Sequence, residues 1–182
     1  ARTYMRLPFN AKTQKLYRNL GNGRFEDVTD RTGMAKVFMP MGSNFGDIDN
    51  DGFLDIFLGT GSPSYGALKP SVLLHNKGGK TFVDRTADHF PKTPWGAMGI
   101  KFFDYDNDGK IDLLITDMHS DMSEHIGPER EKLKSRMQWS EKMLQGGADS
   151  IFGNALWHNL GGGKFEEVSD KAGVENYWPW GP

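Results

Sequence analysis

Residues 44–60 read NFGDIDNDGFLDIFLGT, and residues 101–117 read KFFDYDNDGKIDLLITD. Both place Asp at positions 1, 3, 5 and 9 of a loop, Gly at position 6, and a short apolar run directly after it. From Asp47 to Asp104 is 57 residues. A second pattern alternates with the first: LYRNLGNGRFEDVTD from Leu16, LLHNKGGKTFVDRTA from Leu73 and LWHNLGGGKFEEVSD from Leu156. Leu16 to Leu73 is again 57 residues, while Leu73 to Leu156 is 83, the period plus 26. The surplus therefore falls between Asp117 and Leu156. Two motifs keeping one spacing mark an internal repeat, which has to be found before any local reading.

Each motif reads as β-structure. Phe53–Leu58 and Ile111–Ile115 are apolar runs bounded by turn formers, as expected of buried strands. Leu73–Leu74 and Phe82–Val83 flank a glycine-rich turn, and the segments around Gly21–Gly23 and Gly161–Gly163 repeat that hairpin. Asn19, Asn76 and Asn159 hold one position in it, where an Asn side chain can bond the local backbone and start the turn. About four strands per period of about 57 residues is the scale of a propeller blade. The expected fold is all-β: β-propeller blades of four antiparallel strands in a partial ring, with one helical insertion. Residues 1–41 hold the second half of a preceding blade, 42–96 a complete blade, 97–174 a blade interrupted at about 120–149, and 175–182 the start of the next. Propellers close with four to eight blades, so the remaining blades are expected from a longer chain or an assembly.

The carboxylates carry the chemistry. Calcium takes six to eight hard oxygen ligands, and a tight loop with alternating Asp can supply them. The first site is assigned Asp47, Asp49, Asp51 and Asp55, with the carbonyl of Phe53. The second is assigned Asp104, Asp106, Asp108 and Asp112, with the carbonyl of Lys110. The bland alternative is a hydrated turn. Against it, unit charges about 4 Å apart repel by about 1 kcal/mol per pair even in water, so an empty loop would splay. An EF-hand needs a bidentate Glu at loop position 12, but Leu58 and Ile115 stand there.

The loop before an apolar strand, followed by an LxxNxGxGxF hairpin, resembles the FG-GAP or VCBS repeat of calcium-loaded β-propellers, a class that includes the integrin α-subunit head. The stretch from Asp104 through SIFGNALWHNLGGGKFEEVSDKAGVENYWPWGP more narrowly resembles bacterial relatives of cartilage acidic protein, associated with an ASPIC/UnbV region. The resemblance implies a secreted or surface-exposed propeller with calcium in its blade loops. No ASPIC/UnbV segment or known adhesion sequence occurs in these 182 residues, so no partner carries over.

Composition narrows the remaining classes. Twenty-two basic against twenty-four acidic residues give a net charge of −2, which argues against nucleic acid as the partner. No apolar run approaches 18 residues, so no membrane-spanning helix is expected. Cysteine is absent, which removes disulfides and thiolate metal sites.

Within the insertion, Pro128–Leu144 lacks Gly and Pro between its ends and reads as a helix, packing on the rim or meeting a partner. Asp117, His119, Asp121, Glu124 and His125 could be drawn as a transition-metal site, but their spacing matches no ligand pattern. His75 and His158 take the repeat position of Arg18 and read as structural surface residues. Trp178 and Trp180 read as blade packing. No nucleophile motif appears, so the chain is read as non-enzymatic. The expected function is an extracellular, cell-surface or periplasmic calcium-binding scaffold or adhesion module for protein or polysaccharide. The alternative is part of a secreted polysaccharide-active enzyme whose catalytic centre lies elsewhere.

Overall fold

A computed structural model describes residues 13–38, 40–60, 71–94, 96–117, 150–151, 153–174 and 181. Strands β1 (Tyr17–Gly21) and β2 (Arg24–Asp27) form an antiparallel hairpin. Next, β3 (Pro40–Gly46), β4 (Asp55–Thr60), β5 (Val72–Lys77) and β6 (Thr81–Asp84) form a four-stranded antiparallel meander in chain order. A single helical turn, α1 (Thr86–His89), and the short β7 (Thr93–Pro94) lead to the second sheet. That sheet joins β8 (Ala97–Phe103), β9 (Asp112–Asp117), β11 (Ala155–Gly161) and β12 (Lys164–Glu167) in the order β8-β9-β11-β12. The short β10 (Ser150–Ile151) pairs parallel with β7, and α2 (Ser169–Ala172) follows β12. The fold is all-β, built of four-stranded antiparallel blades. The inserted helix at Pro128–Leu144, and Trp178 and Trp180, lie outside the described residues.

The sheets stack on strands buried on both faces, β4 above all. Side chains alternate along a strand, and in β4 both sets are buried. Phe57 joins Leu73, Ala97, Ile100, Leu113, Ile115 and Trp157 in a core between the two sheets. Ile56 and Leu58 point the other way, joining Leu74 and Met34 on the side of the β1–β2 hairpin. Phe90, just after α1, plugs the inter-sheet core. Its ring meets those of Phe57, Trp157 and Phe165 at centroid distances of 5.6, 5.3 and 4.8 Å. Polar bonds cross the same junction: Asn44 Nδ2 donates to the Ile100 carbonyl at 2.8 Å.

The strands begin later than the apolar runs suggest. β4 starts at Asp55 and β9 at Asp112, two and one residues into the predicted segments. Phe53 and Leu54 are 40% and 56% exposed. They belong to the loop, whose last carboxylate is also the first strand residue.

Candidate metal centre

The two Asp-rich loops fold alike, residue for residue. Each connects the first two strands of its sheet, and each turns on an Asn and a Gly in the left-handed region: Asn50 (φ 58°) and Gly52 (φ 88°), Asn107 (φ 61°) and Gly109 (φ 82°). Asn tolerates that conformation better than most residues, and glycine adopts it freely. The first carboxylate closes the loop on itself. Asp47 Oδ1 accepts the Asp51 N–H at 3.0 Å, and Oδ2 the Gly52 N–H at 2.9 Å. Asp104 does the same with Asp108 (3.1 Å) and Gly109 (2.9 Å). The carboxylate at position 5 then takes the N–H of position 7: Phe53 to Asp51 and Lys110 to Asp108, both 2.8 Å.

The carboxylate at position 9 behaves differently. Asp55 and Asp112 have no exposed surface. Asp55 Oδ2 accepts the Ile48 N–H (3.2 Å), and Oδ1 accepts the Asn76 N–H (2.7 Å). Asp112 Oδ2 accepts the Tyr105 N–H (3.0 Å), and Oδ1 accepts the Asn159 N–H (2.7 Å). Each thus pins the start of its loop to the third strand of its sheet. The hairpin asparagines lock the other side. Asn76 Nδ2 donates to the Leu54 carbonyl at 3.0 Å, and Asn159 Nδ2 to that of Ile111 at 2.9 Å. Their Oδ1 atoms accept the turn N–H of Gly79 and Gly161, and Asn19 Oδ1 that of Gly21.

Ligand atoms converge in four overlapping groups. Asp47, Asp49 and Asp51 bring one oxygen each within 4.8 Å of one another, as do Asp104, Asp106 and Asp108. The other two groups are Asp49–Asp55–His75 and Asp106–Asp112–His158. Sequence reasoning placed both histidines on the surface; their side chains are only 25% and 18% exposed and face the loops. His75 Nδ1 lies 3.0 Å from Asp55 Oδ1 and 3.7 Å from Asp49 Oδ2. For His158 the distances are 3.3 Å to Asp112 and 3.7 Å to Asp106. The signal that could have found them is strand register. Leu74, beside His75, pairs with Ile56, beside Asp55.

Charge is balanced differently in the two loops. Burial pushes the Asp55 carboxyl above its ordinary value, opposed by the N–H groups of Asn76 and Ile48. In the second loop the Lys110 ammonium bonds Asp108, which holds that carboxyl low and raises the lysine. Desolvation, then the charges of Asp106 and Asp112, raises the Tyr105 phenol. The first loop has Phe53 where the second has Lys110, so it carries no such internal cation. Asp117, drawn with the histidines of the insertion, is buried and accepts the Gly96 N–H at 2.8 Å. His119, Asp121, Glu124 and His125 lie outside the described residues.

Oxygen-rich donors on a closed, glycine-hinged turn suit a hard divalent cation. Asp49 and His75 also wall a cleft of 380 Å³, shared with Lys77, Arg85 and the Gly162–Gly163 turn. The first loop is therefore reachable from solvent.

The profile of the FG-GAP-like repeat matches residues 8–58 and 62–115, more than half of the chain. The chain belongs to the FG-GAP-like repeat family. A search of curated proteins returned no match. The FG-GAP-like units are out of phase with the sheets. Residues 8–58 take in the β1–β2 hairpin and run through β3 into β4, and 62–115 take in β5 and β6 and run through β8 into β9. The sequence unit thus ends on the Asp loop and its apolar strand, joining a closing hairpin, β1–β2 or β5–β6, to the first two strands of the following sheet. Such repeats make β-propeller-like binding modules. Among the described residues, no helix is long and apolar enough to cross a membrane.

Proposed function

We propose that this FG-GAP-like chain is a calcium-stabilised propeller segment that acts outside the cytoplasm as a scaffold or adhesion module for a protein or polysaccharide ligand. Its role is binding rather than catalysis. The observation that carries the reading is the doubled convergence of Asp47, Asp49 and Asp51, and of Asp104, Asp106 and Asp108. Calcium would supply the positive charge that the first set lacks and that the second meets only in the Lys110 ammonium on Asp108. The chain's own part is to hold them. Asp47 and Asp104 wrap the turn, Asp55 and Asp112 tie it to the sheet, and the Phe53 and Lys110 carbonyls would add a ligand each from position 7. Extracellular calcium modules bind with Kd of about 10⁻⁴–10⁻³ M, which matches calcium outside cells and far exceeds cytosolic calcium. Sites of that affinity would be filled in a secreted, surface or periplasmic setting, the setting that the resemblance to bacterial relatives of cartilage acidic protein implies.

Equilibrium dialysis against millimolar calcium, followed by metal analysis, tests the assignment. Two ions per chain are expected, and one in each of Asp49→Ala and Asp106→Ala. An unsubstituted chain that retains no calcium, or variants that retain both ions, would reject it.

A further inference from the structure

Ile48 lies between two candidate ligands, Asp47 and Asp49, and both of its main-chain groups are engaged. Its N–H donates to Asp55 Oδ2 of its own loop at 3.2 Å. Its carbonyl accepts from Asn159 Nδ2 in the neighbouring sheet at 3.0 Å. Asn159 is 2% exposed. Its Nδ2 also donates to the carbonyl of Ile111, the residue before Asp112, and its main-chain N–H donates to Asp112 itself at 2.7 Å. An amide nitrogen carries two hydrogens, and here one serves each loop. Among the described residues Asn76, the repeat counterpart, ties only its own loop, through Leu54 and Asp55.

We propose that the two calcium sites are energetically coupled through Asn159, so that filling one tightens the other; this rests on the calcium reading above. An empty loop relaxes under the mutual repulsion of its carboxylates. Relaxation at Asp47–Asp49 displaces the Ile48 peptide and leaves a buried carbonyl without its donor, which is costly. Ordering at Asp112 fixes the Asn159 backbone and hence the amide that holds Ile48. Part of the ordering cost of the first loop is then already met when the second is filled. Such coupling is reciprocal, and an effect of about fivefold or more is the usual scale.

Calorimetric titration of the full chain with calcium alone tests this. Asp106→Ala reports the first site by itself and Asp49→Ala the second. The product of the two stepwise association constants of the unsubstituted chain should exceed the product of the two single-site constants by about fivefold or more. In an Asn159→Ala background the ratio should fall to about one, and in Asn76→Ala it should persist. If Asn159→Ala does not fold, Asn159→Ser removes the same amide donors without adding a charge beside Asp112. Two ions bound with a ratio of one would overturn the coupling and leave the calcium sites standing. A ratio that survives loss of the Asn159 amide would overturn the route. No calcium bound at all would overturn the underlying reading, and the coupling with it.

Discussion

Gly42 and Gly59 face each other in the register of β3 and β4, and a β-carbon on either would run into the second sheet. On Gly42 it would collide with the Met98 carbonyl; on Gly59 it would lie 2.6 Å from Ile100 Cδ1 and 3.0 Å from Ala97 Cβ. Gly46 meets Phe102 in the same way, with Cγ 2.5 Å from the added carbon. The three together let β8 approach the first sheet at backbone distance, the use of a strand glycine where another chain comes close.

Gly42→Ala should therefore destabilise the chain by about 1–3 kcal/mol or more, the usual cost of overpacking. The obstacle is a main-chain carbonyl in a sheet, which cannot swing aside as a side-chain tip would. Urea unfolding checks it: a lower midpoint at an unchanged slope is expected. A midpoint equal to that of the unsubstituted chain would show that the sheets are less closely seated than described.

The glycines also show where sequence reading stops. A 57-residue period, apolar runs after Asp-rich loops and an Asn before each glycine turn are local signals, and they are enough for four-stranded antiparallel blades. The Asn19, Asn76 and Asn159 side chains bond their own turns because that contact spans only two or three residues. Strand glycines look like weak strand positions until the neighbouring sheet is in place. His75 and Asp55 are 20 residues apart, and His158 and Asp112 are 46 apart. Those pairs exist only once β5 lies on β4 and β11 on β9. The 32 residues 118–149, where the surplus of the second unit falls, lie outside the described structure.

Asp27 sets a pH-dependent contribution at the β1–β2 hairpin. The Lys15 ammonium at 2.8 Å and the Thr29 N–H at 3.0 Å lower its carboxyl to about 2. A depressed native pKa gives stability that is present above the unfolded value, near 3.9, and lost as pH falls through the native one. Asp27→Asn should thus be less stable than the unsubstituted chain at pH 6, with the difference closing between about pH 4 and pH 2. Salt should shrink the Lys15 share, since both partners face solvent. A gap of constant size across that range, read by urea unfolding, would exclude Asp27 as its source.

His75 should act on the first loop through Asp55. With its proton on Nδ1, the imidazole donates to a carboxylate oxygen that also accepts the Asn76 N–H. His75→Ala leaves the Asn76 and Ile48 donors in place, so the loop still closes. The carboxylate, however, loses the group that fixes it on the Asp49 side. Partners of this kind typically change metal affinity by 10–100-fold, and calcium binding at the first site should weaken by about tenfold. Titration at neutral pH reads this, and unchanged affinity would make His75 a bystander.

Calcium should raise the melting temperature by an amount set by mass action. A ligand at about twenty times its Kd stabilises the folded form by about 2 kcal/mol per site. For a chain of this size each kcal/mol moves the midpoint by about 2–4 °C, so two sites give a shift on the order of 10 °C between chelator and saturating calcium. Magnesium at the same concentration should give less, because it demands octahedral geometry and sheds water reluctantly. Combining Asp49→Ala with Asp106→Ala should abolish the calcium response while leaving the hydrophobic cores around Phe57 and Ile56 intact. Scanning calorimetry of both proteins with and without calcium decides it. Equal midpoints for the unsubstituted chain would remove metal from the account of its stability, and a response that survives in the double variant would move the ions to other residues.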